Sequence, residues 1–138
     1  MRIFICCSKA FYGHVACVRA SLAALEHIVT PPNSYDDPKK ENEMRLRGEA
    51  AHNAWKASMI RLQAEKIAAN DGILVLNFEK NGQPNYIGGA TFLEVFKAFE
   101  LGKSIFMFNP LPDGIFRDEL EAMNIIVIQG NLGLVRTL

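Results

Sequence analysis

The sequence predicts an α/β fold, a single-domain three-layer sandwich built on a five-stranded parallel sheet. Five short apolar runs are spread along the chain: RIFICC (2–7), HIVT (27–30), GILVLNF (72–78), SIFMFN (104–109) and IIVIQ (125–129). The longer four show little polar alternation, as strands covered on both faces do. Helical stretches separate them, and strands alternating with helices build right-handed crossovers. The expected strand order is the flavodoxin-like (Rossmann-like) 2-1-3-4-5.

Each element has its own signal. The first strand closes before Ser8 and Lys9, and its apolar run is too short for a signal peptide. Val15, Val18, Leu22 and Leu25 repeat at helical spacing over 14–26. Trp55, Met59, Leu62 and Ala69 do so over 49–69, and Phe92, Phe96 and Phe99 form a third stripe. Between the second strand and the long second helix lies PPNSYDDPKKENEMRLRG (31–48), polar and poor in core candidates. Loops this long are functional or disordered. Two readings stand: a floppy excursion, or a lid that brings Lys39, Lys40, Arg45 or Arg47 to an anionic ligand. After the third strand, Asn81-Gly82 marks a turn, with the chain returning at Tyr86-Ile87.

Composition narrows the function. The 138 residues suit one domain, residues 1–138, with a sizeable core. Fifteen Lys+Arg balance fifteen Asp+Glu, so no overall field draws the chain to nucleic acid or an anionic membrane. No apolar stretch approaches the roughly 20 residues of a membrane span. Three cysteines, Cys6 and Cys7 adjacent, make neither a disulfide framework nor a metal-ligand spacing. A reduced cytoplasmic protein with buried, inert thiols is expected, the alternative being a reactive Cys7 at a strand end. His14, His27 and His52 are scattered, and neither metal nor redox cofactor is implied.

Ligands of open α/β sheets sit outside the carboxyl ends of the strands. Ser8, Asn77, Asn109 and Gln129 stand at those ends and together offer a hydrogen-bonding floor. Gly88 and Gly89 precede the third helix, where paired glycines let backbone approach a ligand and the helix dipole adds positive potential. Glu94 has two readings. Thr91-x-x-Glu94 matches a capping box, in which the carboxylate bonds back to the Thr91 amide. At roughly 100° per residue, however, Glu94 falls between Ala98 and Leu101, on the shoulder of the apolar face and aimed at a cleft.

The run GGATFLEVFKAFELGK resembles the G-x-T-x-x-E … A-x-x-L-G-K signature of the nucleoside 2-deoxyribosyltransferase superfamily, which includes the deoxynucleoside 5′-monophosphate N-glycosidases. The resemblance implies a five-stranded parallel α/β sandwich, matching the independent reading. It implies that Glu94 is a nucleophile that attacks the anomeric carbon, releases the base and leaves a glycosyl ester. Such a role requires an ionised carboxylate, which the helix dipole favours. It implies no cofactor, a small-molecule nucleoside or nucleotide as partner, and a homodimer or larger homo-oligomer. RDELEAMN (117–124) is then the segment lent to a neighbour's site. Three departures qualify it. Phe96 stands where the family carries glycine. The first loop, Cys6-Cys7-Ser8-Lys9, lacks the usual glycine. Gln63 stands at the family aspartate, eight residues before Asp71, and a glutamine cannot carry a catalytic proton. Asp71, at the opposite sheet edge, receives a structural role.

Two functions follow. One is cleavage or transfer at an N-glycosidic bond, with Glu94 catalytic and Ser8, Gln63, Asn77, Gly88, Gly89 and Asn109 binding substrate. The alternative is a non-catalytic module that binds a nucleotide-like ligand in the same cleft.

Overall fold

The computed structural model describes residues 1–137. Strands β1 (Arg2–Cys6), β2 (Ile28–Thr30), β3 (Gly72–Val75), β4 (Ser104–Met107) and β5 (Ile126–Val127) form one parallel sheet. Their order is β2-β1-β3-β4-β5, as the sequence predicts. The helices are α1 (Val15–Ala24), α2 (Lys40–Leu46), α3 (Glu49–Ala68), α4 (Gly89–Glu100) and α5 (Arg117–Ala122), with short 3-10 turns at Lys9–His14 and Leu132–Leu134.

Successive side chains on a strand point to opposite faces. Ile3, Ile5, Leu74, Leu76 and Phe106 pack on one face with Val15, Val18 and Leu22 of α1. Phe4, Cys6, Ile73, Val75, Ile105 and Met107 pack on the other with Ile67 of α3, Val95 and Ala98 of α4 and Leu120 of α5. Both faces are dry, which is why the strands lack polar alternation. Full burial of such side chains contributes roughly 1.5–3 kcal/mol each. At Gly72 an added Cβ would stand 2.7 Å from the Ser104 carbonyl oxygen, so the close approach of β3 to β4 requires glycine there.

Asp71 closes the sheet edge away from the site. Its Oδ2 accepts the Arg2 amide at 2.7 Å, and its own amide donates to the Arg2 carbonyl at 2.8 Å. The Asn81-Gly82 turn forms with both residues at positive φ, 50° and 80°, between reciprocal Lys80 and Gln83 backbone bonds. That is the hairpin geometry the pair favours. The chain returns where expected, the Tyr86 amide donating to the Phe78 carbonyl at 2.9 Å.

Two expectations are corrected. The phenylalanine stripe of α4 is not its core face: Phe96 and Phe99 are 43% and 44% exposed, whereas Thr91, Glu94, Val95 and Ala98 are buried. Small side chains let the helix lie close on the sheet and α3. Phe92 is partly buried and stacks on Phe116 at 4.3 Å. The segment 31–48 is not a floppy excursion either, since Lys40–Leu46 is helical and contacts α3.

Candidate functional site

A cavity of about 460 Å³ opens at the carboxyl ends of β1 and β3, where the strand order reverses. The turn after β1, the chain after β2, one face of α3 and the first turns of α4 enclose it. Of the residues singled out in the sequence, Ser8, Gln63, Gly88, Gly89 and Glu94 line it. Asn77 and Asn109 do not. The Asn77 side chain donates to the carbonyls of Asn109 (3.2 Å) and Pro110 (2.9 Å) and accepts the Asn109 amide at 2.8 Å. The Asn109 side chain donates to the Asn77 carbonyl at 3.1 Å. The two amides clasp the ends of β3 and β4 to each other, and both donors of the Asn77 side chain are used in doing so. Gln129 is exposed in a left-handed turn. The expected four-residue floor reduces to Ser8.

Glu94 lies in the second turn of α4 and is 8% exposed. The helix starts at Gly89 with Gly88 as its cap residue and no side-chain cap bond, so Thr91 sits inside the helix and no capping box forms. Burial raises the Glu94 pKa from 4.5 to about 7, against a Cys6 thiol hydrogen bond and the charges of Lys66 and Lys56. The expectation of a firmly ionised group is thus half met: near neutral pH the carboxyl divides between its two forms. Gly88 has φ −93°, and Gly89 is not at positive φ. Backbone strain therefore does not explain the pair. An added Cβ would meet the Tyr86 hydroxyl at 3.2 Å from Gly88 and only open space from Gly89.

Trp55 and Met59, unlike Gln63, escaped the sequence reading as lining residues. Trp55, Met59 and Gln63 share one face of α3 at i, i+4, i+8 spacing, and all three reach the cavity. Trp55 and Met59 had the look of core; the apolar period cannot tell a cavity wall from a packed interior. Gln63 is 5% exposed, so the position of the missing aspartate does face the site. Tyr12 contributes a phenol pushed up to about 12 by burial and by nearby Cys7 and Glu94, which leaves it a neutral donor. Cys7 is likewise pushed up to about 12, by burial and then by Glu94. It carries no thiolate at neutral pH, in keeping with the expectation of inert thiols and against a reactive Cys7.

The other carboxylate of the lining is Glu41, from α2. It receives Lys9 Nζ at 3.1 Å, Arg45 Nη2 at 3.5 Å, His52 Nε2 at 3.0 Å and Lys56 Nζ at 3.4 Å. Burial acts to raise its pKa, but the His52 and Lys9 hydrogen bonds and the Lys56 charge outweigh that and hold it at about 2. Glu41 therefore cannot act as an acid. Of the cations expected of the 31–48 segment, Arg45 lines the cavity and Lys39, Lys40 and Arg47 do not. His14 stacks on Phe78 at 4.1 Å, and His27 Nδ1 lies 3.2 Å from the Met1 amine. Among the described residues no group of three or more His, Cys, Asp or Glu side chains converges as a metal site, and no helix is long and apolar enough to cross a membrane.

No family model matches the chain, and no curated protein matches its sequence. Among solved structures it is similar to a 2-deoxyribosyltransferase of the psychrotolerant bacterium Bacillus psychrosaccharolyticus, described as a biocatalyst for the synthesis of antiviral and antitumoral nucleosides. The likeness covers 83% of this chain and 77% of that one, with a TM-score of 0.56 and 19% identity. At the level of fold, the chain is built as a 2-deoxyribosyltransferase is.

Proposed function

We propose that the cavity cleaves or transfers at the N-glycosidic bond of a nucleoside or nucleotide, with Glu94 as nucleophile. The observation that supports this reading most is a buried carboxylate, free of any capping role, on the wall of a cavity at the sheet's switch point. The similar fold of a deoxyribosyltransferase supports it from outside. In the proposed reaction the ionised carboxylate bonds to the anomeric carbon as the C–N bond breaks, and the bonding pair leaves with the base, which takes a proton from water. Water or a second base then opens the glycosyl ester. Gln63, Ser8 and the Gly88-Gly89 backbone hold sugar and base by hydrogen bonds. A single nucleoside 2-deoxyribosyltransferase-like domain in a reducing cytoplasm, self-associated through exposed Leu93, Phe96, Phe99 and Leu101, belongs to the same reading.

The test is free base released from a panel of nucleosides and their monophosphates. The rate rises with pH through about 7 as Glu94 ionises, falling about tenfold per unit below that. A flat profile from pH 5 to 8 contradicts a nucleophilic Glu94. Gly89→Ala separates ligand from fold: its melting temperature stays level or rises slightly, while turnover drops about tenfold as the methyl group enters open cavity space. Equal loss of both means the glycine serves the fold.

One observation favours the binding-module alternative. Gln63 replaces the second acid, and Glu41 is locked as an anion, so no lining carboxylic acid other than Glu94 can give a proton to a leaving base. Ligand-induced stabilisation without base release at any pH is the result that selects it.

A further inference from the structure

The chain has no net charge, yet its cavity wall gathers Lys9, Arg45, Lys56 and Lys80 against Glu41 and Glu94. The excess is concentrated. Lys9 comes from the turn after β1, Arg45 from α2 and Lys56 from α3, and all three close on the single carboxylate of Glu41. His52 reaches the same group. Lys80 stands nearby over the Tyr86 ring and donates to Ser8 Oγ at 3.4 Å. One carboxylate offers two oxygens and one charge to this set, so the cations outnumber what it can neutralise.

Glu41 is also weakly anchored by anything else. Helix α2 buries no side chain, so ion pairs rather than apolar packing keep its first turn over the cavity. Lys9 and Lys56 are more than a third exposed and their pairs are individually weak and exchangeable. A second hint of an unfilled polar position lies at the same rim. Asn33, which lines the cavity, gives its amide to the Met59 carbonyl at 3.1 Å, but its Oδ1 is buried with no partner among the described residues.

We infer that Glu41 is the resident counter-ion of an anion subsite, and that the phosphoryl group of a phosphorylated nucleoside displaces it from Lys9 and Lys56. A phosphate monoester carries nearly two negative charges and three acceptor oxygens, and so matches the surplus cations better than one carboxylate does. A neutral nucleoside has nothing to exchange with Glu41. Within the proposed function, whose nucleoside portion this inference assumes, the substrate class narrows to nucleotides.

Binding of inorganic phosphate tests this without requiring turnover. Calorimetric titration at constant ionic strength compares wild type with Glu41→Gln, Lys9→Ala and Lys56→Ala, and sodium acetate replaces phosphate in a parallel arm. Removal of the competing charge makes Glu41→Gln bind phosphate about fivefold more tightly, while each lysine variant binds about fivefold more weakly. Acetate binds measurably less well than phosphate in every protein. Phosphate affinity unchanged or reduced in Glu41→Gln overturns the displacement. Unchanged affinity in both lysine variants overturns the subsite even if Glu41→Gln does not fold, and acetate binding as tightly as phosphate overturns the phosphoryl assignment. Phosphate binding that survives in Glu94→Gln, with no base release from wild type, leaves the subsite standing and removes the catalytic reading. Base release without phosphate binding does the reverse.

Discussion

Glu94→Gln is expected to lose base release by on the order of a thousandfold or more, because the other lining carboxylate, Glu41, is engaged by Lys9, Arg45, His52 and Lys56. It is also expected to be more stable than wild type above neutral pH. The sign follows from the raised pKa. The folded protein keeps the Glu94 proton up to about 7, while the unfolded chain releases it near 4.5. Between those values the native state binds more protons, so wild-type stability falls as pH rises across the window. Above about 7 the full penalty applies, roughly 3 kcal/mol for a shift of this size. Glutamine has no such penalty. Denaturant melts at pH 4, 6 and 8 should show the two proteins converging at the acid end and the variant gaining at pH 8. Loss of stability at pH 8 would mean that the charged form is held by its neighbours rather than tolerated by them.

Asn77→Ala is expected to cost about 2–4 kcal/mol of stability. It removes one acceptor and both donors that tie the end of β3 to the Asn109 amide and the Asn109 and Pro110 carbonyls. Those groups are left partly buried without their partner. Variant and wild type compared in urea, with equal m-values, measure the cost directly. A change under about 0.5 kcal/mol, accompanied by weaker ligand binding, would return Asn77 to the ligand-binding role that its place in the sequence invited.

The sheet was legible because its chemistry is periodic. Buried strands such as Gly72–Val75 and Ser104–Met107 announce themselves as unbroken apolar runs, and their order follows from right-handed crossovers. Helix α2 was not legible for the converse reason. It buries nothing and is held by the ion pairs of Glu41, which leave no hydrophobic period to read. The face of α4 was misassigned because bulk was equated with burial. Close packing on the sheet selected Thr91 and Ala98, while Phe96 and Phe99 stayed outside. Glu94 was legible from its place between Ala98 and Leu101 on the helix wheel and from the G-x-T-x-x-E pattern around it. Asn77 and Ser8 look alike in sequence, both polar residues at strand ends. Only the Asn109 partner across the sheet separates clasp from cavity wall.

Mass spectrometry of protein quenched in acid during turnover probes the nucleophile itself. A covalent sugar increment that maps to the peptide around Glu94, is discharged by water or added base and is missing from Glu94→Gln is the predicted result. Steady base release with no adduct on any residue, or with the adduct elsewhere, would contradict the account at its centre.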